Sequence, residues 1–124
     1  MLKDAPIRAY IPVTDVKRAR EFYERLIGLA PKEDYAGGVV YECGGAQAFL
    51  YPTRNAGTSK ASQAFWHVAD VEAEVKELKA RGVKFEEYDF PGMQMVDSIL
   101  TAGGAKTAWF KDTEGNIMAI SQRV

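Results

Sequence analysis

The chain alternates short apolar runs with stretches of helical spacing, and it does so twice. After Asp15, the residues Val16, Ala19, Phe22, Tyr23 and Leu26 recur at the spacing that gathers them on one face of a helix. After Asp70, Val71, Val75 and Leu78 do the same, while Glu72–Lys76 and Glu77–Arg81 make favourable i,i+4 pairs on the wet side. Asp15 and Asp70 are N-caps by residue type, because a carboxylate oxygen can accept from the orphan N–H groups of a first turn. Gly28 and Gly82 stand where each helix needs a left-handed closing residue. Two helices are therefore predicted, each opening after an Asp and closing before a Gly.

Strand patterns surround them. Val39–Cys43 and Gln47–Tyr51 flank Gly44-Gly45 and read as a hairpin. Val83–Tyr88 is strand-like, and Lys106–Lys111 and Ile117–Gln122 flank the turn Asp112-Thr113-Glu114-Gly115-Asn116. The polar stretch Pro52–Ser62 separates two halves. Asp89–Gly104 mixes Pro-Gly and Gly-Gly breakers with an apolar middle and is ambiguous, an extra strand bracketed by loops being one reading of it. The halves match one another at a constant offset: Arg8–Val16 aligns with Gln63–Val71 through Ala9/Ala64, Val13/Val68, Asp15/Asp70 and Val16/Val71. Each half is approximately β-α-β-β-β, which makes an α+β fold. Residues 1–124 are expected to form one domain, with module one at about 5–52, a linker at about 53–62 and module two at about 63–124.

Composition narrows the function classes. At 124 residues with 47% hydrophobic and 27% charged side chains, the chain is an ordinary globular domain. Sixteen Lys+Arg against 17 Asp+Glu leave a net charge of −1, so there is no basic surplus for nucleic acid. No run of apolar residues is long enough for a membrane helix, and MLKDAPIRAY lacks an apolar leader core. The lone Cys43 has no internal disulfide partner, which suits a reducing compartment. The expectation is a soluble cytoplasmic protein with neither nucleic acid nor membrane as partner.

The wording of the two halves resembles the vicinal oxygen chelate superfamily, which includes glyoxalase-type lyases, extradiol dioxygenases and bleomycin-resistance proteins. The resemblance rests on Ile11-Pro12-Val13-Thr14-Asp15-Val16 running into Arg20-Glu21-Phe22-Tyr23 and Leu26-Ile27-Gly28-Leu29. In the second half it rests on Val68-Ala69-Asp70-Val71, Arg81-Gly82-Val83, Trp109-Phe110-Lys111-Asp112 and Gly115-Asn116-Ile117. It implies two tandem β-α-β-β-β modules whose curved mixed sheet surrounds a cavity, and in the enzymes a divalent metal held by His, Glu or Gln from the first and last strands of each module. The corresponding slots here hold Arg8, Gln63, Ala119 and either Phe49 or Leu50. Only Gln63 offers a donor oxygen, and a guanidinium repels a cation. The family's metal site is therefore expected to be dismantled, with no cofactor; a divalent metal held by a rebuilt site is the alternative. The residues left for such a site are His67, Glu42, Asp97, Asp112 and Glu114, none at ligand spacing.

His67 is the only histidine. Strand alternation puts it on one face with Gln63 and Phe65, as it puts Arg8 with Tyr10 and Pro12. It reads either as a ligand contact, with general-base work possible, or as a half-buried rim residue bonded to a carbonyl. Arg8 reads either as an anion clamp or as a salt bridge to Glu42 or Asp97. Tyr10, Phe65, Phe49 or Tyr51, Phe90, Met93, Met95 and Trp109 suit an apolar pocket, whereas Phe22, Tyr23, Trp66 and Phe110 are assigned to the core and Cys43 to a structural thiol.

The function expected from these readings is small-molecule binding without a metal. A small, largely apolar ligand would contact Arg8, Tyr10, Phe49, Gln63, Phe65, His67 and Trp109, and the bleomycin-resistance branch implies a homodimer. No catalytic residue is assigned. The alternative is a lyase, isomerase or dioxygenase with a rebuilt metal site or with His67 as general base.

Overall fold

The computed structural model describes residues 1–124. Module one runs β1 (Ala9–Val13), α1 (Val16–Glu21) continued by a π-helical stretch (Phe22–Ile27), β2 (Ala30–Tyr35), β3 (Gly38–Cys43) and β4 (Ala46–Pro52). Module two runs β5 (Ser62–His67), α2 (Val71–Ala80), β6 (Leu100–Ala102), β7 (Ala105–Lys111) and β8 (Ile117–Arg123). Each module closes a four-stranded mixed sheet, ordered β1-β4-β3-β2 and β5-β8-β7-β6. In both, the first strand pairs parallel to the last, and the rest of the sheet is antiparallel. The repeat seen in the sequence is thus a repeat of topology. No helix is long and apolar enough to cross a membrane.

Both caps form as their residue types require. Asp15 accepts from the Arg18 N–H at 3.0 Å, and Asp70 from the Ala73 N–H at 3.1 Å. Gly28 ends the first helix at φ +87°, a conformation that a side chain would strain.

Two strand assignments change. Val83–Tyr88 is not a strand: Val83 turns into the core, and only Phe85 bridges Phe110, with the Glu86 N–H donating to Trp109 O at 2.8 Å. The outer strand of that sheet is instead β6, at the end of the Asp89–Gly104 stretch. A tight turn at Asp97-Ser98, both at positive φ, precedes it, closed by reciprocal Val96–Ile99 hydrogen bonds at 2.9 Å. The third strand pairing in module one comes from β2, an edge strand exposed along its whole length.

One core serves both modules. Ile11, Val13, Val39, Tyr41 and Leu50 from the first sheet share a single cluster with Phe22 and Tyr23, with Val71, Val75 and Leu78 of α2, and with Phe110, Met118 and Ile120 of the second sheet. The buried faces of both sheets therefore look inward at the same helices, and their other faces look outward. Trp66 stacks on Phe110 at 6.1 Å, in line with its expected core role.

The modules are fastened by the turn between β7 and β8. The Glu114 carboxylate is fully enclosed and reaches across to the start of α1. There Oε1 accepts from the N–H groups of Thr14 and Asp15 at 2.9 Å each, and from the Thr14 hydroxyl at 2.8 Å. Arg18 Nε donates to Oε2 at 2.8 Å, and so does the Thr113 hydroxyl at 2.9 Å. Beside it, Asp112 accepts from the buried Tyr23 hydroxyl at 2.6 Å, and Asn116 Nδ2 donates to Pro12 O at 2.7 Å. Burial, and after it the Asp112 carboxylate, push the Tyr23 hydroxyl well above its usual pKa, so it remains a donor. The linker is drawn into the same knot: the Gly57 N–H donates to Asn116 Oδ1 at 3.2 Å, and a Cβ at Gly57 would collide with Glu114 O.

Burial alone would raise the Glu114 pKa. The donors from Arg18, Asp15, Thr14 and Thr113 outweigh it and hold the carboxyl at about 2, against an ordinary 4.5. A depressed carboxylate pKa stabilises the fold above the ordinary value, and that contribution disappears as pH falls through the folded value. Glu114→Gln is expected to cost about 2 kcal/mol in urea unfolding at neutral pH. The gap between variant and wild type should narrow steadily from about pH 4.5 towards pH 2; a gap independent of pH would refute an ionic latch.

Candidate functional site on the outer sheet faces

Alternation along β1 and β4 sends Ile11 and Leu50 into the core, and Tyr10, Phe49 and Tyr51 to the outer face. The register pairs Tyr10 with Phe49, so the first-module slot left open between Phe49 and Leu50 falls on Phe49. Tyr10 lies 4.7 Å from Tyr51 and 6.0 Å from Phe49, centroid to centroid, and Tyr35 of β2 closes the group at 5.4 Å from Phe49. Tyr10 and Tyr35 are 63% and 60% exposed, so this aromatic group is not core. Tyr10, Tyr35 and Phe49, with Arg8, Val40 and Gln47, shape a hollow of about 350 Å3. Arg8 Nε donates to Gln47 Oε1 at 3.2 Å, and neither acidic partner proposed for it is in place: Glu42 pairs with Lys32 at 2.9 Å, and the Asp97 backbone carbonyl lies beside Lys79.

The second sheet carries its own aromatic group. Trp109 meets Tyr88 at 5.6 Å and Phe90 at 5.9 Å, and Met95 steadies the strap by accepting the Tyr88 N–H at 3.2 Å. Phe65 is 64% exposed on the same outer face, in register with Ala119, and Gln63 and His67 are exposed beside it. A separate cavity of about 440 Å3 lies where β1 and β5 approach, and Ile11, Cys43, Phe65, Trp66 and His67 all contribute to it. Cys43 is a half-buried free thiol. His67 has no carboxylate partner.

The expected contact residues therefore divide into two sets. Arg8, Tyr10 and Phe49 meet on the first sheet, while Gln63, Phe65, His67 and Trp109 lie on the second. Within one chain they line different spaces, Arg8, Tyr10 and Phe49 the hollow on the first sheet and Phe65 and His67 the cavity where β1 and β5 approach, with Gln47 bordering both. Tyr35 and Tyr88 are the members that sequence reasoning missed. Tyr35 sits on a strand with no apolar periodicity, and Tyr88 was absorbed into a strand that does not form.

The donor chemistry of the slots does not suit a divalent ion. Arg8 presents a guanidinium already bonded to Gln47, Phe49 and Ala119 present hydrocarbon, and Gln63 alone presents an oxygen. No group of three or more His, Cys, Asp or Glu residues is arranged to replace them. Asp112 and Glu114 are committed to the module latch.

Two tandem four-stranded modules, each closed by a parallel pairing of first and last strand, define a glyoxalase-type fold. The family model described as Glyoxalase/Bleomycin resistance protein/Dioxygenase superfamily matches residues 6–120, and the chain belongs to that superfamily. Among solved structures, it is similar to TnmS3, an antibiotic binding protein from Streptomyces sp. CB03234, with TM-score 0.74 and 21% identity over 100% of this chain and 99% of that one. A glyoxalase/bleomycin resistance protein/dioxygenase from Alicyclobacillus acidocaldarius follows at TM-score 0.71 and 17% identity, covering 97% and 92%. A lactoylglutathione lyase from Agrobacterium tumefaciens gives 0.65 and 19%, covering 96% and 93%. At these identities the likeness is one of fold. No curated protein matches the sequence.

After incubation with Ni, Zn, Mn or Fe(II) and desalting, the protein is expected to retain under about a tenth of an equivalent of each, as the donor set implies. Stoichiometric metal that is lost in Gln63→Ala would overturn this reading of the slots.

Proposed function

We propose that the protein is a metal-free binder of small, largely apolar molecules, acting in sequestration or transport within the cytoplasm. The observation that carries this reading is the pair of aromatic groups on the outer sheet faces, where Tyr10, Tyr35 and Phe65 are each more than half exposed. Large aromatics at that exposure are costly on a free surface and usually mark a binding site. The relative TnmS3 is described as an antibiotic binding protein, which supports ligand capture as a use of this fold.

Each face is a shallow half of a site, and a second copy of the chain is the natural cover. The chain exposes 8067 Å2, whereas a folded monomer of 13.7 kDa exposes about 6,600 Å2. The excess of about 1,500 Å2 per chain is the area that a permanent homodimer buries. Sheet one of one copy set against sheet two of the other would bring Arg8, Tyr10 and Phe49 together with Phe65, His67 and Trp109.

Sedimentation should give about twice the chain mass of 13.7 kDa; a particle of single mass would sink the dimer. A thermal-shift screen of apolar aromatic compounds should return hits whose affinity drops about tenfold in Phe49→Ala or Trp109→Ala, the loss of one stacking surface. His67→Ala should change affinity less than about threefold, as a rim contact does. Turnover of a hit, abolished in His67→Ala with the fold intact, would put an enzyme in place of the binder.

A further inference from the structure

Arg8 sets the chemistry of the hollow on the first sheet. It is the only charged side chain among the residues that shape that space, beside Tyr10, Tyr35, Gln47 and Phe49. Its bonds to Gln47 Oε1 at 3.2 Å and to the Ile7 carbonyl at 3.3 Å use two N–H groups and leave three of the five a guanidinium carries. Arg18, Arg20, Arg25 and Arg81 all face carboxylates within 3.3 Å, whereas Arg8, like Arg54 and Arg123, faces none, and of these three only Arg8 borders the hollow. Glu42, whose carboxylate also meets Gln47, is paired with Lys32 at 2.9 Å, and Asp34 of β2 with Arg20 at 2.9 Å.

We infer that this hollow takes a planar aromatic molecule bearing an anionic group, with the ring among Tyr10, Tyr35 and Phe49 and the anion on Arg8. The inference rests on the reading of the outer faces as ligand-binding surfaces. The aromatic group alone would also attract a cation through its ring faces. An unpaired guanidinium at the rim, with no carboxylate in the lining, opposes a cation and favours a carboxylate, sulfonate or phenolate. Gln47 holds Nε and so orients the plane of the guanidinium, leaving its outer edge for a two-pronged contact. The position that holds a metal ligand in the family's enzymes is in this chain an anion anchor.

The test uses two fluorescent probes that differ by one group, 8-anilinonaphthalene-1-sulfonate and its neutral parent N-phenyl-1-naphthylamine. Both are titrated into the full chain at low and moderate salt. The sulfonate should bind at least tenfold tighter than the neutral probe, and Arg8→Gln should erase the difference. Phe49→Ala should weaken both probes, with Tyr10→Ala standing in if that variant does not fold. Lys79→Gln, in the separate lysine-lined groove beside α2, should leave both titrations as they are. Equal affinity for the two probes, or a sulfonate preference that follows Lys79 rather than Arg8, overturns the anion anchor while leaving the apolar site intact. Failure of both probes to bind, or binding indifferent to Phe49→Ala and Tyr10→Ala, overturns the ligand-binding reading of this face as well.

Discussion

A single enclosed carboxylate ties the two modules together at the edge of the core they share. Glu114 is removed from water and surrounded by donors, all but the neighbouring Thr113 hydroxyl from the other half of the chain. Burying a charge without partners is prohibitive, so the geometry around it tolerates little slack. Its oxygens satisfy N–H groups at the start of α1 that Asp15 alone does not reach. Everything placed by α1, including the π-helical turn that buries Phe22 and Tyr23 against the second sheet, inherits its position from that contact. The orientation of the aromatic faces follows, since each is the reverse side of a sheet whose inner side is fixed by the common core.

Much of this was legible in the residues. The two helices announce themselves through spacing, and their ends through Asp15, Asp70, Gly28 and Gly82, because capping is local chemistry. The first and last strands of each module were visible because they are apolar and bounded by turn residues. What escaped was decided elsewhere. β2 is polar throughout and exists because β3 offers it an edge, which no pattern within Ala30–Tyr35 records. Val83–Tyr88 has strand composition but spends it on a single bridge, since Val83 and Phe85 are drawn into the core. Asp112 and Glu114 carry ordinary turn chemistry in the sequence, and their long-range role depends on which helix the turn meets.

The candidate site shows the same division. Strand alternation grouped Arg8 with Tyr10, and Gln63 with Phe65 and His67, as the structure has them, whereas the choice of Phe49 over Leu50 came only from the observed register. Their division between two spaces could not be read, because it depends on how β1 and β5 come together. The loss of donors at the slots was a matter of residue identity and needed no geometry. The free valence of Arg8 did need it: only the positions of Lys32 and Arg20 show that the nearby acids are already spoken for.

The reach of Glu114 across the chain also has a bearing on synthesis. A ribosome makes α1 long before Glu114, so module one emerges with the Thr14 and Asp15 N–H groups open to water and an apolar face uncovered. Only when the last hairpin clears the exit tunnel can the knot of Thr14, Arg18, Gly57 and Asn116 close. A nascent chain stalled before that point holds the first sheet without the contacts that cover its helix, a partly folded state open to chaperones and proteases.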